Sequence, residues 1–383
     1  MVQSFLQLLT TAWLVAINAG QWDQFNVIWN IPSEQCKRYW TPMEFPQTYG
    51  ILANNEYKFQ GNIIVVLYEK KFGLYPYYKN FSDPTSAVNG GIPQRANLTA
   101  HLAKLRDDIE KAIPNEGFNG LAVIDYEKWR PLWEHNWYTK RIYRRESIAY
   151  VMERYPNKNK TDAKLTAMNE FNQASLEFLI KTIREAKKIR PFALWGYYGM
   201  PFCNYSAGRN GTIACGEVFE RFNDRLLPLY NESTALYPSI YLPKREMNLI
   251  GCLYVISVLK EAKRIADELQ LPIYAFTGIE YFPLINDPYY TQQDLRNSLR
   301  RASAMGVDGV IIWSTSKNMA KRCVAIGNYI RYQLGPEVLQ LKEFTKICSE
   351  TNRYPENCKF FREMKNGLKN YHCYQEDLDI ILI

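Results

Sequence analysis

Short apolar runs recur along the chain and predict its strands. Each run is nearly continuous in hydrophobicity and rich in β-branched or aromatic residues, which is typical of parallel strands covered on both faces. The runs lie at residues 25–31, 63–69, 121–127, 192–199, 236–242, 272–281 and 309–314. We therefore predict seven strands, most of them parallel.

Helical patterns separate several of these runs. Apolar residues recur every three or four positions over 98–109 and 176–186, and Thr291 with Asp294 forms a capping box that starts a helix. Alternation of strand and helix predicts a parallel sheet with crossover helices. Over 383 residues, we expect an α/β protein whose sheet closes into a TIM-like (β/α) barrel rather than an open doubly wound sheet.

The two ends of the chain differ from this central pattern. Residues 1–20 carry no Lys, Arg, Asp or Glu and end in small residues, which predicts a secretory signal peptide. A membrane anchor is the alternative, and it is disfavoured because polar residues interrupt the apolar stretch. After residue 340 the pattern becomes short and polar, so we assign 21–340 to the barrel and 341–383 to a small disulfide-containing appendage.

Cysteines and glycosylation motifs indicate an oxidising, extracellular compartment. The chain has eight cysteines, no C-x-x-C and only three histidines, which favours disulfides over a zinc site. Six N-x-S/T motifs are candidate glycosylation sites. They begin at Asn80, Asn97, Asn159, Asn204, Asn210 and Asn231. We expect a secreted glycoprotein.

The net charge is +8, which suits either general solubility or attraction of a polyanion such as an acidic polysaccharide or nucleic acid. Charge alone does not choose between these. No G-x-G-x-x-G is present, so nucleotide binding has no support, and nucleic-acid binding lacks any recognised motif.

Asp125 and Glu127 end the third apolar run, at the strand edge where barrels of this kind place their active sites. Because they are two residues apart, we expect their side chains to leave the same face of the strand, about 6.6 Å apart along it. Such neighbours cannot easily flank a sugar ring. One can instead protonate the leaving oxygen while the other holds the substrate, whose own N-acetyl oxygen is the nucleophile.

In an arbitrary D-x-E at a strand end, the two carboxylates are more often solvent-exposed groups that end the strand than catalytic residues. Here the pair precedes the aromatic segment WRPLWEHNW, which includes Arg130. Exposed aromatic rings and a cation are what sugar faces and carboxylates require, so this context favours a saccharide site.

The chain resembles the animal-type hyaluronidases, which include venom and sperm enzymes, over about residues 25–335. Four segments carry the resemblance: NGLAVIDYEKWRPLWEHNW, LWGYYGMPFCNY, ALYPSIYLP and GVIIWS. The resemblance implies a distorted (β/α) barrel with a long groove. It also implies endo-hydrolysis of the β-1,4 bond after N-acetylglucosamine, retention of configuration, and no metal or cofactor.

The resemblance also implies roles for individual residues. Glu127 matches the proton donor and Asp125 the carboxylate that positions the acetamide, together with Tyr198. Four further positions match substrate contacts of that family. They are Tyr241, Trp313, Tyr68 and Arg130. For the neighbouring aromatics, core packing is as well supported as a place in the groove. These are Trp195, Tyr197 and Tyr237.

Two disulfides are implied by the same resemblance, Cys36–Cys323 and Cys203–Cys215. The sequence departs from vertebrate members in its short tail, which has three cysteines where those members carry a larger module. Four cysteines stay unassigned, and a buried free Cys252 is one alternative. They are Cys252, Cys348, Cys358 and Cys373.

We therefore expect a monomeric enzyme that acts on hyaluronan and also on chondroitin, with no nucleic-acid or membrane partner. The alternatives are a catalytically silent glycan-binding protein on the same barrel and a chitinase-like hydrolase. Glu127 argues against the first, and Arg130 with the positive charge argues against the second. Of the two carboxyls, we expect Glu127 to have the raised pKa, because it must hold the proton for the leaving group.

Overall fold

The structure, a computed structural model, describes residues 25–243, 248–281 and 288–350. The predicted signal peptide, Cys358 and Cys373 lie outside these residues, as does the appendage beyond residue 350. The contacts divide the chain into two units. The described parts of 1–64, 199–220 and 236–383 form unit 1, whereas 65–198 and 221–235 form unit 2.

Nine strands occur in the described residues. They are β1 (Asn26–Trp29), β2 (Leu52–Ala53), β3 (Ile64–Tyr68), β4 (Tyr77–Tyr78), β5 (Ala87–Val88), β6 (Leu121–Asp125), β7 (Leu194–Tyr197), β8 (Tyr274–Thr277) and β9 (Gly309–Ile312).

The same residues contain nine α-helices. They are α1 (Leu98–Ala112), α2 (Arg141–Arg154), α3 (Lys160–Ile189), α4 (Glu217–Arg225), α5 (Leu227–Tyr230), α6 (Asn248–Leu269), α7 (Gln292–Ala304), α8 (Met319–Tyr329) and α9 (Gly335–Glu350).

The sheets are built from the predicted apolar runs. In unit 1 the strand order is β2–β1–β9–β8, and every pairing is parallel. In the register of β1 with β9, Ile28 lies opposite Ile311. In unit 2 the order is β3–β6–β7, and β6 pairs in parallel with β7. All five residues of the central β6 are buried. The α/β class with parallel strands is confirmed; barrel closure stays a prediction.

The predicted strand at 236–242 is not continuous. The segment lies parallel to β8: the Leu236 carbonyl accepts from the Tyr274 amide, and the Pro238 carbonyl accepts from the Phe276 amide, at 2.9 and 2.8 Å. Between these bonds a regular ladder needs a donor at position 238, and proline has none. The segment therefore pairs through the isolated bridges Leu236–Ile273 and Ser239–Phe276.

Side-chain caps explain where two predicted helices begin. The Asn97 carboxamide oxygen accepts the Ala100 amide at 3.0 Å and starts α1. The Thr291 hydroxyl accepts the Asp294 amide at 3.1 Å and starts α7, as the capping box predicts. Each cap satisfies an amide that the first turn of a helix leaves without a partner.

Both implied disulfides are present. Cys36–Cys323 joins positions 287 residues apart, and Cys203–Cys215 closes a loop of 12. Cys252 is also disulfide-bonded, so the free-thiol alternative is wrong. Within the described ranges, no helix is long and apolar enough to cross a membrane.

Candidate active site

Asp125 is the last residue of β6, and Glu127 follows two residues later. Asp125 is buried at 8% exposure, whereas Glu127 is exposed. Tyr126, between them, is buried, and its hydroxyl donates to the Phe72 carbonyl at 2.7 Å. This anchored ring fixes the backbone between a deep carboxyl and an exposed one.

Asp125 lies in an environment that disfavours its charge. Its Oδ1 is buried and has no hydrogen-bond partner among the described residues. Burial raises the pKa of Asp125 well above its usual value, and the charges of Glu127 and Glu69 raise it further. The prediction that Glu127 has the raised pKa is wrong, because Asp125 is the buried carboxyl and its pKa is the one that is raised.

Glu69 is a third carboxylate at this site, and the sequence analysis missed it. It directly follows β3, and its amide donates to the Asp125 carbonyl at 3.2 Å. Its Oε1 lies 3.7 Å from the Lys128 Nζ. Its position could have indicated it, because Glu69 directly follows Tyr68, a predicted substrate contact at the end of the same strand.

Lys140 was also missed. Its ammonium group donates to the backbone carbonyl of Glu127 and, at 3.0 Å, to that of Lys128. Burial and the neighbouring Arg130 lower the pKa of Lys140 to about 8. No sequence pattern marks this residue, because it acts on backbone atoms twelve and thirteen residues away.

Tyr68 and Tyr198 flank Asp125 at the ends of the adjacent strands. Tyr68 ends β3, and Tyr198 follows β7, where its amide donates to the Ile124 carbonyl at 3.0 Å. Both tyrosines are half-buried. The structure therefore brings Tyr68, Asp125 and Tyr198 to one edge of the unit 2 sheet.

The segment after Glu127 is anchored by its aromatic rings rather than displaying them. Trp129 is buried, stacks on Tyr75 at 4.9 Å between ring centroids, and donates its indole N–H to the Pro76 carbonyl at 2.8 Å. Trp133 is also buried. The expectation that this segment offers exposed tryptophans is wrong for these two, since they pack in the core.

Arg130 is half-buried in this anchored segment. Its amide donates to the side-chain oxygen of Asn136 at 2.9 Å, and the Asn136 amide group donates back to the Arg130 carbonyl at 2.9 Å. The reciprocal bonds fix the backbone at Arg130, whose charge is felt by Lys140.

Unit 1 holds the other two predicted substrate contacts. Tyr241 and Trp313 pack edge to face, with ring centroids 6.3 Å apart and planes at 76°. Trp313 follows β9, and its amide donates to the Thr277 carbonyl at 2.9 Å. Both rings are half-buried, so each keeps surface for a ligand.

The three ambiguous aromatics belong to the core. Trp195, Tyr197 and Tyr237 are at most 3% exposed. The Trp195 indole donates to the Arg190 carbonyl at 3.0 Å, and the Tyr197 hydroxyl donates to the Leu179 carbonyl at 2.8 Å.

Five of the six sequon asparagines are exposed, and Asn204 is half-buried. Their glycosylation stays a prediction.

Comparison with known proteins gives one consistent family. The family model described as hyaluronidase matches residues 17–373. A chondroitin hydrolase of Caenorhabditis elegans is 39% identical, over 86% of this chain and 72% of the relative. Hyaluronidase-1 of Mus musculus is 35% identical, over 90% of this chain and 76% of the relative. Bee venom hyaluronidase, solved in complex with a hyaluronic acid tetramer, is similar with a TM-score of 0.76 and 31% identity, covering 83% of this chain and 100% of that chain.

Proposed function

Because the chain belongs to the hyaluronidase family of glycoside hydrolases, we propose that it is an endo-β-N-acetylhexosaminidase that cleaves the β-1,4 bonds of hyaluronan with retention of configuration. Glu127 serves as the acid and base, and the substrate's acetamide oxygen is the nucleophile. Asp125 and Tyr198 position that acetamide.

The observation that carries this proposal is the contrast between the two carboxyls. Glu127 is exposed and can contact a polymer lying on the protein surface, whereas Asp125 is buried with an oxygen that lacks a hydrogen-bond partner among the described residues. An acetamide N–H supplies the donor that Asp125 lacks. A single deep acceptor beside an exposed acid suits a substrate that brings its own nucleophile.

Because its pKa is raised, Asp125 holds a proton that the pair of carboxyls, Asp125 and Glu127, can use. In the free enzyme, burial and the two neighbouring carboxylates favour the protonated form of Asp125. When the acetamide N–H donates to Asp125, the hydrogen bond favours the ionised form, and the released proton is available to Glu127. Binding of the substrate thus provides the proton that Glu127 needs to act as the acid.

The chemical steps then balance within the pair and the substrate. Glu127 gives its proton to the leaving glycosidic oxygen as the acetamide oxygen bonds to the anomeric carbon. Ionised Asp125 stabilises the positive charge that develops on the cyclised acetamide. A water oxygen next attacks the anomeric carbon as Glu127 takes a proton from that water, and the bond from the acetamide oxygen to the anomeric carbon breaks, which restores the acetamide. The two inversions at this carbon give retention.

The charge of the chain supports a polyanionic substrate. A net charge of +8 attracts a glucuronate polymer, and Arg130 adds a guanidinium group in the neighbourhood of Lys140. We also propose activity on chondroitin, since a relative named chondroitin hydrolase is 39% identical and both polymers carry an N-acetylhexosamine. Tyr68, Tyr241 and Trp313 are the further proposed substrate contacts.

The test is a digestion of hyaluronan, chondroitin and chitin oligomers side by side, with analysis of the new reducing ends and of the anomer first formed. Glu127→Gln should lower turnover at least a hundredfold yet bind hyaluronan nearly as wild type does, because it removes the proton and keeps the shape. Glu116→Gln, an exposed glutamate in the loop before β6, is the matched control and should retain full activity. More than a tenth of wild-type turnover in Glu127→Gln would remove this residue from the role.

The same experiment separates the alternatives. A silent glycan-binding protein would bind hyaluronan without producing reducing ends. A chitinase-like enzyme would cut the chitin oligomers and leave both glycosaminoglycans intact.

We further propose a secreted, glycosylated monomer with a cleaved leader at 1–20, a barrel over 21–340 and an appendage at 341–383. The two disulfides and the exposed sequon asparagines support export. Mass measurement of the protein from culture medium, before and after glycosidase treatment, tests these assignments together.

A further inference from the structure

Lys140 precedes α2 and is tied to the backbone that carries Glu127. Its Nζ donates to two successive carbonyls, those of Glu127 and Lys128, and lies 5.6 Å from the centre of the Phe81 ring. Because β6 ends at Asp125, these carbonyls have left the sheet ladder and need other donors. An ammonium group has three N–H donors and can serve both.

The charges around Lys140 come from two neighbouring segments. Glu69 follows β3, and the other three groups follow β6: Glu127, Lys128 and Arg130. The two carboxylates favour the ammonium form, and the two cations oppose it. Lys140 therefore donates hydrogen bonds to the backbone at the proposed acid, and its charge interacts with the Glu127 carboxylate.

We propose that Lys140 is a positioning residue for the reaction: its ammonium group holds the backbone of Glu127 so that the carboxyl meets the leaving oxygen. The inference rests on the proposed function of Glu127. Its physical basis is preorganisation, since a displacement of about 1 Å in a reacting group can cost about a hundredfold in rate.

The geometry separates the effects of Lys140 on turnover and on binding. Its donors point to backbone atoms, so its loss should leave the affinity for the polymer nearly unchanged. A role in packing alone would lower the thermal stability, and it would not be restored by arginine, which differs from lysine in shape but keeps the charge and the donors.

The experiment compares Lys140→Met and Lys140→Arg with wild type on hyaluronan, together with thermal unfolding. We expect Lys140→Met to lower kcat at least tenfold and to change KM less than threefold. Lys140→Arg keeps the charge and the donors, so it should recover kcat to within about threefold. If Lys140→Met does not fold, Lys140→Gln provides the same comparison.

Lys158→Met is the matched control. Lys158 is half-buried, donates to the Thr166 hydroxyl at 2.9 Å and lies 5.4 Å from the Tyr155 ring centre, so its loss removes a similar set of contacts elsewhere in unit 2. It should leave kcat unchanged. Lys140→Met with kcat within twofold of wild type, or Lys140→Arg impaired as strongly as Lys140→Met, would overturn the inference. An inactive wild-type protein would instead overturn the proposed function.

Discussion

Removal of the Cys36–Cys323 disulfide should destabilise the protein far more than removal of Cys203–Cys215. The first crosslink joins the turn after β1 to α8 and spans 287 residues, whereas the second spans 12. In the chain-entropy model, a crosslink stabilises by reducing the freedom of the unfolded chain, and the effect grows with the logarithm of loop length. At 25 °C this gives about 5.7 kcal/mol for the long loop and about 2.8 kcal/mol for the short one.

Two double variants make the comparison, Cys36→Ala with Cys323→Ala and Cys203→Ala with Cys215→Ala. Each deletes two sulfur atoms and leaves no odd cysteine, so the two variants differ chiefly in the length of the loop that is opened. Urea unfolding followed by circular dichroism should show the first variant losing about twice as much free energy of unfolding as the second. Equal losses, or a larger loss for the short loop, would refute the entropic argument.

Two further predictions concern activity. Asp125→Asn should reduce kcat on hyaluronan at least a hundredfold, because an amide cannot stabilise the charge on the cyclised acetamide; full activity by the reducing-end assay would leave positioning to Tyr198 alone. Raising the ionic strength from about 0.05 to about 0.5 M should increase KM for the polymer much more than it lowers kcat, since salt screens long-range attraction but not a proton transfer in contact. Equal effects on both constants, measured from initial rates, would contradict a role for the net charge in capture.

The sequence predicts the strands well where both faces of the sheet are covered. Runs such as 121–127 and 309–314 are apolar throughout because no face of β6 or β9 meets solvent. The run at 236–242 has the same composition, but Pro238 removes one rung of its ladder. The β4–β5 hairpin pairs two residues on each side, which is too short for a periodic signal.

The candidate site is predicted in its residue types but not in its environments. Asp125 and Glu127 are found from their place at the end of a strand. The depth of each carboxyl depends on tertiary packing around β6, so the assignment of the raised pKa failed. Lys140 has no local signature, because its partners are carbonyl oxygens that every residue possesses.

The burial of Asp125, which the proposed reaction requires, also lowers the stability of the fold. Its folded-state pKa is raised, so ionisation of this group favours the unfolded chain, and the contribution of Asp125 to stability falls as pH rises above about 4, the ordinary pKa of an aspartate. At neutral pH the fold therefore carries a cost at the position that the reaction needs. A screen of variants for thermal stability alone should enrich neutral side chains at position 125. The most thermostable variants from that screen should be poor catalysts.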